Sequence, residues 1–210
     1  MRLLNMEIKS HMLLSKYLLN QIPESAIYRK IFIWGCIEPD LNMFSYLKGS
    51  SKYQKFKGHN YNSSSNYTIH VLEKLQGKSQ WSLWDYYRLG KLMHYLSDAF
   101  TYPHNGNFTG NLWEHRVYEA RLHSCFAAYL KQCSKETVKN YTEDVREYIG
   151  KFHRQYMRTS GDVNNDAKFI TQATSRVMQA LMHSLSPVCY KKCEVPYENT
   201  YCDRLVHTDH

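Results

Sequence analysis

The sequence predicts an all-α protein, a single multi-helix bundle of about seven helices. Three observations carry this. Apolar residues recur at helical spacing along most of the chain. No stretch shows the strict alternation of a half-buried strand. Gly and Pro number only 9 and 5, too few for a loop-rich or low-complexity chain.

The first element runs from Met6 to Leu19, with Ile8, Met12, Leu13 and Leu19 on a helical stripe and Pro23 beyond its end. Ser25 is placed to cap a second helix through Ile27, Ile31 and Trp34, with Gly35 and Pro39 expected to stop it. Residues 41–66, which include KGSSKYQKFKGHNYNSSSN, have little periodicity and read as a long basic, aromatic loop. Tyr67 to Gln76 forms a short helix. Ser82 to Phe100 forms a strong one, carrying Leu83, Tyr86, Tyr87, Leu89, Leu92, Met93 and Leu96, with Pro103 just past its end. Asn111 to Cys133, Ser134 to Met157 (capped by Ser134) and Asp162 to Leu185 complete the set. There is no internal repeat and no linker, so residues 1–185 form one helical domain and 186–210 a polar tail.

Composition narrows the functional classes. The 27 basic and 19 acidic residues leave a net charge of +8, which favours anionic partners such as phosphates, nucleic acid or an anionic membrane surface. No apolar run approaches the ~20 residues of a membrane span. The opening MRLLNMEIKSHMLLSKYLL is interrupted by Lys9, His11 and Lys16 and offers no small-residue cleavage site, so the chain as written reads as cytoplasmic. Cys36, Cys125 and Cys133 fall in apolar helical stretches, as buried free thiols do. Cys189, Cys193 and Cys202 cluster in the tail in no recognised zinc pattern.

The chemistry lies in the histidines and carboxylates. His94 and Asp98 stand four apart on one helix, as do His115 and Glu119 on the next, so each pair projects from one helix face. His104 sits between the two pairs, just after Pro103. Upstream lie His11 in the first helix, Asp40 in GCIEPD and His59 in the basic loop. Taken singly, each of these is an ordinary solvated or turn residue. Two such pairs flanking a third histidine in one short window are far less ordinary. Nitrogen and oxygen donors of this kind suit zinc in open, catalytic sites, and several neighbouring ions suit phosphoester hydrolysis. His70, His123, His153, His183, His207 and His210 fit no such pattern.

The run RLGKLMHYLSDAFTYPHN, followed by WEHRVYE, closely resembles the heart of the bacterial zinc-dependent phospholipase C family. KSHMLLSKYLL resembles that family's first helix with its metal histidine, WGCIEPD its aspartate segment, and KGHNYNSSSNYTI its loop histidine and following helix. The resemblance spans roughly residues 6–125. It implies an all-helical fold around a cleft for up to three zinc ions. The first ion would take Asp40, His59, His94 and Asp98, and the second His104, His115 and Glu119. The third would take His11 and the second oxygen of Asp98, completed in the family by the amine and carbonyl of the N-terminal residue, here Met1. The implied reaction is phosphodiester hydrolysis, most of all of a phospholipid, with Asp40 orienting or deprotonating the attacking water. Secretion is the family's alternative to a cytoplasmic location.

Fungal single-strand nucleases share this ligand logic, but space their last two histidines further apart than His104 and His115. The second reading is therefore a nuclease or nucleotidase. In it Tyr53, Phe56 and Tyr61 would stack a base while Lys52, Lys55 and Lys57 hold the backbone. A third is a non-catalytic member that binds metal or phosphate.

Overall fold

The computed structural model describes residues 4–22, 25–41, 61–133 and 144–185. Among these it is all-α, with seven helices: α1 (Leu4–Leu18), α2 (Ala26–Leu41), α3 (Tyr61–Leu75), α4 (Leu83–Ala99), α5 (Leu112–Gln132), α6 (Val145–Tyr156) and α7 (Val163–Leu185). A 3-10 turn, Leu19–Gln21, extends α1, and a second, Tyr102–His104, links α4 to α5.

Helix α4 is the axis of the bundle. Twelve of its 17 residues are buried, on every face, because α1, α2, α3 and α7 all pack against it. Its start is fixed by a capping box in which the Ser82 and Asp85 side chains satisfy each other's backbone N–H groups. The Asn111 side chain caps α5 in the same way with Glu114. The core runs continuously from Leu14 and Leu18 of α1 through Phe32, Leu89, Leu92, Met93 and Leu96 to Val177, Met178 and Leu181 of α7.

The decisive contact is between α2 and α4. Tyr28 stacks on Tyr86, the Phe32 carbonyl lies against Gly90, and the Cys36 carbonyl meets His94, with the α4 residue always 58 positions ahead. The two helices therefore run parallel, and their C-terminal ends lie side by side. The approach depends on glycine in both. A Cβ on Gly35 would overlap the Tyr87 carbonyl oxygen, and one on Gly90 would overlap the Phe32 carbonyl oxygen.

That contact corrects the expected end of the second helix. Gly35 and Pro39 do not stop α2, which continues to Leu41 with both residues buried inside it. Gly35 serves the crossing, where the packing against α4 outweighs its low helix propensity. Pro39 lies in the last turn, so only one intrahelical hydrogen bond is forfeited.

Other boundaries also shift. Helix α3 begins at Tyr61 rather than Tyr67, so the expected loop is helical from 61 to 66, and its remainder from 42 to 60 lies outside the described residues. Helix α6 is described from Val145, capped by the Asp144 side chain rather than by Ser134, and residues 134–143 lie outside the description. So does the tail, 186–210, with its three cysteines, His207 and His210. Cys36 is buried, and its thiol is pushed well up by burial, but Cys125 and Cys133 are only half-buried.

The link between α4 and α5 is held from below. Asn105 Nδ2 donates to the carbonyls of Ala99 and Thr101 at 3.1 and 2.9 Å, and its Oδ1 accepts from His153 Nε2 at 3.0 Å. Burial holds the His153 ring down at about 4, so the fold keeps it neutral.

Two predictions follow from this packing. Gly35→Ala or Gly90→Ala should each lower unfolding free energy by about 1–3 kcal/mol through overpacking. Gly106→Ala, where an added Cβ meets nothing, should stay within about 0.5 kcal/mol of the parent in denaturant titrations. Burial of His153 also makes stability depend on pH. The unfolded ring titrates near 6.5 and the folded one near 4, so the stability it contributes is present above about pH 6.5 and is lost as pH falls towards 4. A melting temperature followed from pH 7 to 4 should fall less in His153→Gln than in the parent.

Candidate metal centre

The donor residues expected from the sequence gather into two neighbouring clusters. The first stands where the parallel helices end. Asp40 is the penultimate residue of α2 and Asp98 the penultimate residue of α4, so both carboxylates arrive at one level. His94 lies one turn earlier on α4. His11 joins from α1, on a buried stripe that also holds Leu14, Ser15 and Leu18. All four site residues are buried or nearly so. The negative ends of two helix dipoles add to the two carboxylates in favouring a cation here.

The geometry is reciprocal. His11 Nε2 is 3.3 Å from Asp98 Oδ1, and His94 Nε2 is 3.3 Å from Asp98 Oδ2. Asp40 repeats the pattern, with Oδ2 3.7 Å from His11 Nε2 and Oδ1 3.6 Å from His94 Nε2. Each carboxylate thus faces a different imidazole with each of its oxygens. Two ligand atoms bound to one tetrahedral zinc at ~2.0–2.1 Å stand about 3.3–3.4 Å apart, which is the spacing of Asp98 from both rings, and Asp40 stands slightly further off.

The hydrogen bonds behind the rings set the tautomers. His94 Nδ1 lies 2.9 Å from the Cys36 carbonyl, which can only accept, so Nδ1 carries the proton. Ser97 Oγ donates its one proton to the His94 carbonyl at 2.7 Å and therefore accepts from His11 Nδ1 at 3.2 Å. With Nδ1 engaged in this way, both rings turn their other nitrogen, Nε2, towards carboxylate oxygens. Two buried carboxylates packed against ring nitrogens call for positive charge between them, supplied by a proton on Nε2 or by a bound cation. Asp40 Oδ2 is likewise buried, with no hydrogen bond among the described residues. Burial alone would push the Asp98 carboxyl up, but His94, His104 and His11 outweigh it and hold that group well below the ordinary carboxylate range. The donor set fits zinc.

The second cluster is more open. His104 comes from the 3-10 turn, and His115 and Glu119 from one face of α5. Glu119 Oε1 lies 3.2 Å from His104 Nε2 and 2.6 Å from His115 Nε2, and the two rings stand edge to face 4.9 Å apart. Two histidines and one carboxylate leave coordination positions over, as catalytic zinc sites do.

His59 and Met1, the remaining residues expected at the centre, lie outside the described residues. Of the histidines that fitted no pattern, His123 pairs with Ser10 Oγ at 3.0 Å, His153 is the buried ring below Asn105, and His70 and His183 are exposed. Sequence reasoning did not find Ser97 or the Cys36 carbonyl. A serine beside Asp98 carries no signal of its own until the turn of α4 that faces His11 is known.

A helical bundle that brings two nitrogen-and-oxygen donor clusters to the ends of its helices defines a multinuclear metalloprotein class. The family comparison makes this specific. The model of the zinc-dependent phospholipase C family matches residues 10–162, and the chain belongs to that family. No curated protein and no solved structure matches the chain. Zinc is thus the metal of the family, and phospholipase C its general reaction.

Ser97→Ala removes the acceptor that orients His11 while leaving every donor residue in place. It should weaken zinc binding at the first cluster by roughly 10–100-fold, measured by competition with a chelator of known affinity, with the second cluster unaffected.

Proposed function

We propose that the protein hydrolyses a phosphodiester in a phospholipid, releasing diacylglycerol and a phosphorylated headgroup. His11, Asp40, His94 and Asp98 are the ligands of one zinc cluster, with His59 and Met1 as the further ligands that the family resemblance assigns. His104, His115 and Glu119 hold the neighbouring ion. Membership of the family over residues 10–162 is the single observation that carries this reading.

When bound, the ions supply positive charge for the phosphate oxygens and make a coordinated water acidic. The chain's own part is positioning and proton transfer. The Cys36 carbonyl and Ser97 Oγ engage Nδ1 of His94 and His11, which leaves Nε2 of each ring as the atom turned to the metal site. Asp40 orients the attacking water and takes its proton, using a carboxylate oxygen that makes no hydrogen bond among the described residues. The water oxygen attacks phosphorus, the bond to the glycerol oxygen breaks, and the proton taken up by Asp40 is passed on to that leaving oxygen.

A lipid substrate gains support from the start of α5. Leu112 and Trp113 are 62% and 67% exposed, within one turn of His115. Large apolar side chains at that place suit the interface of an aggregated lipid substrate, while the +8 charge suits lipid and nucleic acid alike.

The test is hydrolysis of lecithin, an anionic phospholipid and single-stranded DNA by the zinc-loaded chain. Headgroup release from a lipid is expected. Cleavage of the DNA alone would replace the lipid reading with the nuclease one, and no turnover of any of the three would favour a non-catalytic binder. Metal analysis gives a second check. Asp98→Asn should lower the content of two ions and Glu119→Gln of one, and an Asp98→Asn content equal to the parent's would remove the bridging role.

A further inference from the structure

The ligands of the second cluster come from two separate elements, the 3-10 turn and α5, and among the described residues no other ligand joins them. The joint is made by a residue of α7. Asp166 is fully buried. Its Oδ2 accepts the backbone N–H of Tyr102 at 2.9 Å and the hydroxyl of Tyr118 at 2.9 Å. Its Oδ1 accepts the hydroxyl of Tyr156 at 2.8 Å. Tyr102 opens the turn that ends at His104, and Tyr118 precedes Glu119 on α5. The Tyr102 and Tyr118 rings also touch, with centroids 5.7 Å apart. One oxygen atom thus fixes the turn to the helix beside the place where their ligands meet.

We propose that Asp166 is a positioning residue for the second zinc site: its Oδ2 ties the His104 turn to the His115 and Glu119 helix, setting the separation of the three ligands. The family match ends at residue 162, so this tether comes from a helix outside the matched segment. All three partners are donors, which is why an acceptor without a proton of its own suits the position. A backbone N–H cannot reverse its role, whereas the two tyrosine hydroxyls can. The Tyr102 bond to Oδ2 is therefore the one that demands oxygen. The inference rests on reading His104, His115 and Glu119 as ligands of one ion.

The test follows zinc release from the full, zinc-loaded chain to a chromogenic chelator, with circular dichroism recording helix content. His115→Ala identifies the class of ion held by the second cluster, and Asp98→Asn that held by the first. Asp166→Ala is expected to speed release of the second class roughly 10–100-fold and leave the first class at the parental rate. Asp166→Asn, which can keep an oxygen towards Tyr102 while Tyr156 turns its hydroxyl, should largely restore the parental rate. Tyr118→Phe removes one donor from Oδ2 and should loosen the same class, more than Tyr156→Phe, which removes the donor from Oδ1. If Asp166→Ala does not fold, these two phenylalanine variants decide by the same comparison. Equal loosening of both classes, an unchanged second class, or a larger effect from Tyr156→Phe than from Tyr118→Phe overturns the tether. Loss of no ion in His115→Ala overturns instead the ligand reading beneath it.

Discussion

The close parallel approach of α2 and α4 is the constraint on which the rest of the molecule depends. Parallel neighbours need a long connection between them, and the chain provides one through α3. With glycine at the crossing in both helices, backbones meet without side chains between them. That closeness lets a main-chain carbonyl of α2 reach the ring of His94, and it delivers Asp40 and Asp98 to the same height. A bulkier crossing would separate the helices, and the carboxylates with them.

Two buried carboxylates beside two imidazoles form an arrangement that is poor without a cation. The fold reinforces that demand in layers. Helix C-termini add negative potential, the rings are held with Nε2 turned to the carboxylates, and the core around α4 keeps out the water that would otherwise solvate the charges. The same low-dielectric surroundings that make the empty arrangement costly strengthen every interaction an ion would make there. The second cluster differs in kind. It is more exposed, uses a short turn instead of a helix end, and relies on hydrogen bonds from α6 and α7 to keep that turn in place.

Much of this was legible in the sequence because it is local. Ser82 and Asn111 announce their helices by side chains that can cap them, and the His94/Asp98 and His115/Glu119 pairs follow from helical periodicity alone. What the sequence concealed is what depends on partners distant along the chain. Gly35 reads as a stop when α2 is considered by itself and as a contact once Gly90 is opposite. Tyr61 to Asn66 is polar and has little periodicity, so nothing local marks it as helix. Ser97 and Asp166 are common residue types whose roles arise from neighbours 86 and 64 positions away. His153, which fits no metal pattern in the sequence, is a buried prop for Asn105.

The described cysteines Cys36, Cys125 and Cys133 are all free thiols, so no covalent link ties these helices together. The first cluster can serve that purpose in another form. His11 and Ser97 already meet across 86 positions, and an ion shared by His11 and Asp98 would close a loop of about that size. A cross-link restricts the unfolded chain more as the loop it closes grows, though only logarithmically. Unlike a disulfide, such a link would be reversible and would answer to free metal: strong where zinc is plentiful and dissolved by a chelator. The lifetime of the folded chain would thereby be coupled to the availability of that ion.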